Sequence, residues 1–548
     1  MKPLTRLQIL EKQNKDLRVR IANMQSKSEL TVCSVEDDLI YLKEQLRIKN
    51  KNESMLQAEI NALTKELEIA RDLRLEVIQA HIDSKIAAAV AAAETPLLEE
   101  LAKARLEIAR LRSIINKDSS NSSKPSSTDG YKRVPNSREK SGRPKGGQPG
   151  HVGHRLGLPE KIEKLVEEGH VQKRIVDHTN GAEDYITRYV LDVEINTTIT
   201  EHRYIIGTAL PKDQYNEVSY GENIKAMSIY LLVEGIIAEA RLSEMICGLT
   251  HGAIKISPAT LEKYKSQFAE KLETSGELEA IKEDLLNGEI IHTDDTTMRT
   301  SQTIEYLDDG TYLLREEDKK SYRAVIRNHS NDRSTLYTIN PGKGMAGIER
   351  DGLLPIYFGA LSHDHESKFY NYGTHNVTCG EHLLRDLKGL RDLECISWAG
   401  DMRAHIAQMN GHKNKDLLTG IKKCIPEILI HYENKYDELL KRGWNELVEM
   451  TEGSFGYDSF RAMLNRLTKY KDNYLLFMRN YKMPFTNNLS ERDLRMEKTK
   501  EKVSVLFRSW SGLETHVRIR SFFSTLKKRG DGLYNGILRV NMGLPVLQ

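Results

Sequence analysis

Residues 290–297 read Ile-Ile-His-Thr-Asp-Asp-Thr-Thr, an apolar run that ends on two carboxylates. Such a run is typical of a buried strand, and it places Asp294 at the edge of a sheet. A second strand-like run ends at Asp364, and Glu491 lies at the start of a predicted helix. If these three acids converge, they form an all-oxygen site for a hard divalent cation. Asp294, Asp364 and Glu491 are therefore the candidate catalytic and metal-binding residues.

Each acid also has an ordinary interpretation, because an aspartate at a strand end is more often a turn residue or a helix cap. Asp295 competes directly with Asp294, but side chains alternate along a strand, so the two should face opposite ways. We predict that the carboxylates of Asp294, Asp364 and Glu491 cluster, with Asp295 turned away.

The composition excludes several classes of protein. A chain of 548 residues predicts several domains, and 39% hydrophobic with 29% charged residues is ordinary for a protein with long exposed helices. Five scattered cysteines, without a Cys-x-x-Cys pair, favour a reducing compartment. Neither a signal peptide nor an apolar run of about 18 residues is present. We expect a cytoplasmic protein without a membrane partner.

Residues 1–116 are predicted to be helical, with apolar residues at the heptad spacing of a coiled coil. Pro96 suits the first turn of the last helix. Two alternatives stay open: self-association through a coiled coil, which we favour, and three helices that pack within their own domain. The three seams consist of Leu7, Leu10, Asn14, Leu17, Ile21 and Met24; of Leu56, Ile60, Leu63, Leu67 and Ala70; and of Leu97, Leu101, Ala104, Ile108, Leu111 and Ile115.

Residues 117–157 form a Gly/Pro/Ser-rich linker with nine Lys/Arg and three acids, a net charge of +6. Such a segment cannot build a core, but it can follow a phosphate backbone. A solvated linker is the competing interpretation. The candidate DNA-binding residues here are Lys132, Arg133, Arg138, Lys140, Arg143 and Lys145.

The remaining segments predict a multidomain α+β protein. Residues 158–217 alternate polar and apolar, which indicates a small β-rich module. Residues 218–285 are helical, and two of these helices could form a DNA-binding helix-turn-helix or a plain hairpin. Residues 286–372 predict strands, a short helix and a further strand, an order that suits a mixed sheet of the ribonuclease-H type.

A helical insertion is predicted at 373–480, and residues 481–548 complete the core with the Glu491 helix and a basic tail. Between 492 and 529 there are eleven Lys/Arg and four acids, a net charge of +7. The candidate DNA-binding residues of this basic segment are Arg492, Arg495, Lys502 and Arg508.

A carboxylate triad of this kind suits two Mg²⁺ ions, with Mn²⁺ as an alternative. Two such ions clamp both sides of an in-line phosphoryl displacement, so no protein nucleophile is needed.

The chain resembles the insertion sequence 66 family of transposases, DDE-type enzymes of bacterial mobile elements. The resemblance is carried by Asn121-Ser122-Ser123-Lys124-Pro125 with residues 146–151, by His292-Thr293-Asp294-Asp295-Thr296, by Asp364 with Cys379-Gly380-Glu381-His382, by Asn487-Asn488-Leu489-Ser490-Glu491-Arg492, and by the stretch from Lys502 to Ser509. It implies that Asp294, Asp364 and Glu491 are the catalytic triad of a ribonuclease-H-like core. It also implies a helical insertion between the second aspartate and the glutamate.

The chain departs from the family pattern in two places. The family commonly carries a cysteine-based zinc module after the linker, but residues 158–217 contain no cysteine, so zinc is not expected there. Asp364 is followed by His365 and Glu366, which leaves Glu366 as a competitor. Cys379 and His382 share one helical face. We interpret them as packing residues that position the site, and Arg385, one turn further, could reach a phosphate.

The prediction is therefore a DNA transposase that frees the 3′-hydroxyls of its element and joins them to target DNA. Its expected partners are the terminal inverted repeats, target DNA, further copies of the chain and companion proteins of the element, in a bacterial cytoplasm at the nucleoid. The alternatives are a catalytically decayed DNA-binding or scaffold protein and a structure-selective nuclease on the same core.

Overall fold

The computed structural model of the chain divides into two units, residues 1–108 and 109–548. Within the described residues there are sixteen α-helices and seven strands. The structure describes residues 15–16, 32–71, 76–122, 158, 161–211, 216–307, 311–315 and 321–547.

The first unit contains α1 (Val32–Arg71) and most of α2 (Glu76–Ile115). The second and third predicted seams meet in this unit, because Leu56 and Ile60 line the same groove as Leu97 and Leu101. This groove joins two helices of one chain, so self-association stays a prediction. The first seam, apart from residues 15–16, lies outside the described residues.

The predicted helix start at Pro96 is wrong. Pro96 lies inside α2, which runs without interruption for 40 residues. A proline in a helix removes one backbone hydrogen bond. The apolar face continues on both sides of Pro96, with Val90 and Leu97 lining the groove, and this packing maintains the helix.

The predicted β-rich module is also wrong for the residues that the structure describes. Between 161 and 211 there is one short helix, α3 (Ile162–Glu167), and no strand. Apolar side chains of this segment are almost fully exposed: Val190 is 91%, Ile199 95% and Ile206 101% exposed. Alternation supplies an apolar face, but a strand also needs a partner strand and a core to cover that face.

Four helices lie directly before the sheet in the sequence, and two more follow the helix that carries Glu491. These six helices pack together in one apolar core. Ser257 caps the third helix of this group by accepting a hydrogen bond from the Thr260 amide (3.1 Å), as the Ser-Pro pair predicts. This helix buries Phe268 and Leu272 in the core. The six helices are α4 (Glu222–Val233), α5 (Glu239–Leu249), α6 (Pro258–Thr274), α7 (Glu277–Leu286), α15 (Trp510–Arg529) and α16 (Leu533–Asn541).

The central sheet is mixed and has five strands in the order β5-β4-β1-β6-β7. The pairs β5-β4 and β4-β1 are antiparallel, whereas β1-β6 and β6-β7 are parallel. The strands of the chain are β1 (Ile290–Thr300), β2 (Thr303–Tyr306), β3 (Tyr312–Arg315), β4 (Tyr322–Ser330), β5 (Thr335–Asn340), β6 (Ala360–His363) and β7 (His375–Thr378), of which β2 and β3 form a separate hairpin.

The parallel register of β1 and β6 directs two predicted site residues towards the same end of the two strands. The last pair of this ladder is His292 with Ser362. Asp294 and Asp364 each lie two residues beyond that pair, Asp294 still within β1 and Asp364 directly after β6.

The helical insertion folds around its own apolar core, which includes Trp398, Tyr436 and Phe460. It begins after β7, so the predicted boundary at 373 assigned one strand of the sheet to the insertion. Its helices are α9 (Gly380–Glu394), α10 (Trp398–Leu418), α11 (Pro426–Glu449), α12 (Tyr457–Lys469) and α13 (Lys471–Arg479). The short helix α8 (Met345–Asp351) lies before β6.

The helix that carries Glu491, α14 (Asn488–Ser504), packs on β1 and β4. Both of its ends are tied to β1. At the start, the Asn487 side chain donates to the Thr293 carbonyl (2.8 Å). Beyond the end, the Phe507 amide donates to the Arg299 carbonyl (2.9 Å), and Thr300 and Phe507 form a parallel β-bridge. Within the described residues, no helix is both long and apolar enough to span a membrane.

Candidate metal-binding active site

Asp294 lies near the middle of β1 and is flanked by other acids. Burial, and then the charge of Asp364, raise the pKa of its carboxyl group well above the ordinary value, with further contributions from Asp295 and Glu491. Asp294 Oδ1 accepts one hydrogen bond, from the Asp295 amide (2.7 Å). The charges of Asp364, Asp295 and Glu491 thus disfavour the ionised form of Asp294, as expected for neighbouring carboxylates.

Asp364, Glu491, Cys379 and His382 form a compact cluster. One ligand-type atom from each residue lies within 4.8 Å of all the others. His382 Nδ1 is 3.1 Å from Asp364 Oδ1 and 3.7 Å from Glu491 Oε1. Burial alone would lower the pKa of His382, but Asp364 and Cys379 raise it to about 11. Cys379 and His382 thus contact the acids directly, which the packing interpretation of this pair did not anticipate.

Three elements hold this cluster. Asp364 follows β6 directly, and Cys379 caps the start of α9, where its amide donates to the His363 carbonyl (3.0 Å). His382 lies in the first turn of α9. Glu491 lies in the first turn of α14, where an acidic side chain also complements the helix dipole.

Asp295 contacts a different set of residues. Its side chain is 1% exposed and forms ion pairs with Lys343 and Lys368, and Arg327 Nη2 lies 3.6 Å away. Burial would raise the pKa of Asp295, but the lysines, Lys368 foremost, hold it below its ordinary value. Glu366 also pairs with Lys343 (3.4 Å) and Lys368 (2.5 Å). Neither competitor is among the four residues of the cluster, and neither is Asp294, which the sequence predicted to lie with Asp364 and Glu491.

A buried polar network fixes α14 on the sheet. Ser490 Oγ donates to Asn328 Oδ1 (2.6 Å), and Asn328 Nδ2 donates to the Ser490 carbonyl (3.2 Å). Ser330 and Thr335 both donate to Asp493 Oδ2 (2.7 and 2.9 Å). These contacts lie on both sides of Glu491, so they set the position of its carboxylate relative to β1.

The comparison with known families is decisive for the assignment. Residues 217–515, more than half of the chain, match the family described as Transposase IS66 family. The chain belongs to the IS66 family of transposases. Residues 48–157 match a second family, DUF6444, whose function is unknown. Neither a curated protein nor a solved structure matches the chain significantly.

The predicted DNA-binding residues of this IS66-family chain fall into two groups. Arg492, Arg495, Lys502 and Arg508 are exposed, on or just beyond α14. Arg385 is partly buried in α9, and its Nε is a buried atom without a hydrogen-bond partner. The six basic residues of the linker, from Lys132 to Lys145, lie outside the described residues.

Sequence reasoning did not single out Lys498, a partly buried lysine of α14 in this IS66-family chain whose charge interacts with that of Asp294. Burial lowers the pKa of Lys498, whereas the charges of Glu501 and Asp294 raise it. Glu491, Arg495, Lys498 and Lys502 are spaced i, i+4, i+7 and i+11, so they share one face of α14. This spacing could have been recognised in the sequence, because it places the three cations Arg495, Lys498 and Lys502 in line with Glu491 on one face of the helix.

The donor atoms present fit a divalent cation. Carboxylate oxygens suit Mg²⁺ and Mn²⁺; the carboxylates of Asp364 and Glu491 lie in one cluster, and Asp294 interacts electrostatically with both. Asp364 links Asp294 to the cluster. Its charge acts on Asp294, and its Oδ1 lies 3.1 Å from His382 Nδ1.

Proposed function

We propose that this IS66-family protein is a DNA transposase that cuts the ends of its element and joins the freed 3′-hydroxyls to target DNA. The observation that best supports the proposal is the electrostatic interaction of Asp294 with Asp364 and Glu491, the last two of which lie in one cluster of potential metal ligands. The three acids come from β1, the end of β6 and the first turn of α14, within the residues that match the family.

The sheet order supports a ribonuclease-H-like core. Three antiparallel strands continue into two parallel ones in the order β5-β4-β1-β6-β7. Asp294 is on the central strand and Asp364 ends its parallel neighbour. The helical insertion follows β7, and α14 then returns to the centre of the sheet.

In this proposal Asp294, Asp364 and Glu491 hold two divalent ions, Mg²⁺ or Mn²⁺. The ions supply activation of water or a 3′-hydroxyl and stabilisation of the leaving oxygen in an in-line displacement. The protein positions the carboxylates through the β1–β6 register and the network around Asn328. Lys498 and Arg495 provide cations beside the acids for DNA phosphates.

The basic residues of the linker and of α14 are proposed to hold the terminal repeats and the target DNA. The heptad seams of residues 1–116 are proposed to bring two or more copies together, because transposition must hold two DNA ends at once. Companion proteins of the element and a place at the nucleoid of a bacterial cytoplasm complete the proposal.

Glu491→Gln tests this function, with Glu501→Gln on the same helix as the matched control. The amide keeps the shape of the side chain but removes the charge that binds the ion. We expect DNA binding to persist in a gel-shift measurement, and Mg²⁺-dependent cleavage of DNA carrying the element ends to fall more than about 100-fold.

Cleavage by Glu491→Gln at the wild-type rate would overturn the assignment of this glutamate. Cleavage without any joining by the wild-type protein would indicate a nuclease. DNA binding without cleavage would indicate a decayed transposase.

A further inference from the structure

Three buried polar atoms in the candidate site face one another. They are Asp364 Oδ1, His382 Nδ1 and Glu491 Oε1. The distances from His382 Nδ1 to the two oxygens are 3.1 and 3.7 Å. His382 Nδ1 therefore forms ion pairs with both carboxylates, and all three atoms face one small volume. A metal ion that displaces the imidazole proton would contact all three atoms at once.

A fourth donor, the sulfur of Cys379, completes the set. Cys379 is 1% exposed and lies with the other three donor atoms inside the 4.8 Å cluster. The Asn487 amide donates to this sulfur (3.3 Å), which orients it in the way that outer contacts orient metal ligands. A tetrahedral ion with bonds of about 2.0–2.3 Å would bring neighbouring donors to about 3.3–3.6 Å. The arrangement therefore needs only a small contraction to enclose an ion.

The chemistry of these donors selects the ion. One sulfur, one imidazole nitrogen and two carboxylate oxygens suit Zn²⁺ and similar transition metals, whereas Mg²⁺ takes oxygen ligands. We propose that Cys379, His382, Asp364 and Glu491 form a site for a zinc-class ion, and that Asp294 with Asp364 is left for an oxygen-preferring ion such as Mg²⁺. This refines the proposed function, on which it rests: of the two divalent ions proposed there, the ion bound by Glu491 is of the zinc class, and the ion between Asp294 and Asp364 stays Mg²⁺ or Mn²⁺.

Co²⁺ is the probe, because a cobalt ion bound to a cysteine sulfur produces a charge-transfer band that oxygen ligands do not. The full-length protein is stripped of metal with a chelator and titrated with Co²⁺, and Zn²⁺ affinity is then measured by competition with a coloured chelator. We expect one Co²⁺ per chain with the sulfur band, and displacement by Zn²⁺ but not by equimolar Mg²⁺.

Variants assign the ligands. Cys379→Ser should abolish the sulfur band and weaken Zn²⁺ binding by more than about 100-fold, beyond the loss typical of outer contacts. Cys395→Ser, at the exposed end of the same helix, is the control and should keep both. Glu491→Gln should weaken binding but keep the band. Circular dichroism shows whether Cys379→Ser folds. If it does not fold, a sulfur band that persists in Glu491→Gln still shows that the sulfur is a ligand.

The result separates this inference from the proposed function. Asp294→Asn should lose DNA cleavage and keep the Co²⁺ band, because Asp294 is not one of the four donors. Mg²⁺-dependent cleavage in a protein without the band overturns the mixed site and leaves the transposase standing; His382 is then only an ion-pair partner of the carboxylates. If the wild-type protein shows the Co²⁺–sulfur band but cleaves no DNA, the zinc-class site is supported and the proposed transposase function is overturned.

Discussion

Asp295 is not one of the clustered ligands, but its ion pairs connect the elements that carry the candidate site. Its carboxylate is enclosed by Lys343, Lys368 and Arg327, which come from three different parts of the core. Lys368 lies four residues after Asp364, so this ion cluster connects β1 to the segment that carries the second aspartate. Asp295 therefore fixes the distance between two candidate ligands.

Asp295→Asn should destabilise the protein by about 3–5 kcal/mol, because it leaves three cations around a neutral side chain. The pKa of Asp295 is depressed in the fold, so its stabilising contribution is present above the ordinary carboxyl pKa of about 4. That contribution is lost as the pH falls through the depressed value. Urea unfolding at pH 7 and at pH 3 measures the effect. An equal loss of stability at both values would contradict this account.

Lys498 is the residue with the clearest expected effect on DNA. Burial disfavours its charge, yet no ion pair within 4 Å holds it among the described residues, which leaves its ammonium group for a phosphate. Lys498→Gln should reduce cleavage and joining by about tenfold or more and reduce the salt dependence of DNA binding. Lys441→Gln, on the exposed face of the insertion, should leave both unchanged. Full activity in Lys498→Gln would remove Lys498 from the site.

Among the elements, the start of α9 leaves no room for a side chain at Gly380. A Cβ atom at Gly380 would lie 2.2 Å from the ring of Phe485, whose carbonyl accepts the Gly380 amide (2.8 Å). Phe485 is held in turn by an edge-on contact with Phe477 at 4.8 Å between ring centres. The neighbouring Cys379 and His382 depend on this close approach.

Gly380→Ala should cost about 1–3 kcal/mol through overpacking and should reduce cleavage by shifting Cys379 and His382. Gly411→Ala in α10 is the matched control, because a Cβ there meets no atom within 4 Å. It should stabilise the protein by up to about 1 kcal/mol, since alanine favours the helix. Thermal unfolding and a cleavage assay distinguish the two, and a neutral Gly380→Ala would show that Phe485 can move aside.

The elements also show what the sequence could and could not predict. The apolar run before Asp294 predicted β1, although the strand runs on to Thr300, and Ser257-Pro258 predicted the start of α6. The β-rich prediction for 158–217 was wrong because periodicity reports a face and not what covers it. Of the three predicted acids, the structure places Asp364 and Glu491 in one cluster with Cys379 and His382. The proposed roles of Cys379 and Lys498 depend on tertiary contacts that spacing along one helix does not reveal.

For the molecule as a whole, the acids of the site cost stability until a cation is bound. The pKa of Asp294 is raised in the fold, so the ion-free protein should lose stability as the pH rises from about 4 through that raised value. Divalent cation binding should recover it, by about 2.7 kcal/mol at 100 times the Kd.

The expected result is a higher melting temperature of the wild type at pH 7.5 when Mg²⁺ or Mn²⁺ is added. Asp294→Asn should melt higher than the ion-free wild type and should gain less from the ions. Differential scanning calorimetry with and without chelator measures both effects. An Asp294→Asn protein that is less stable than the wild type without ions would show that Asp294 is held by contacts other than repulsion.

The ties of α14 to β1 also determine when the protein becomes competent during synthesis. Asn487 and Phe507 reach strand residues made about 200 positions earlier, and the whole helical insertion lies between. A nascent chain that already has both aspartates still lacks Glu491 and cannot close the site. We therefore expect prematurely terminated products to lack the proposed DNA-cleaving activity, which should appear only in chains translated past Phe507.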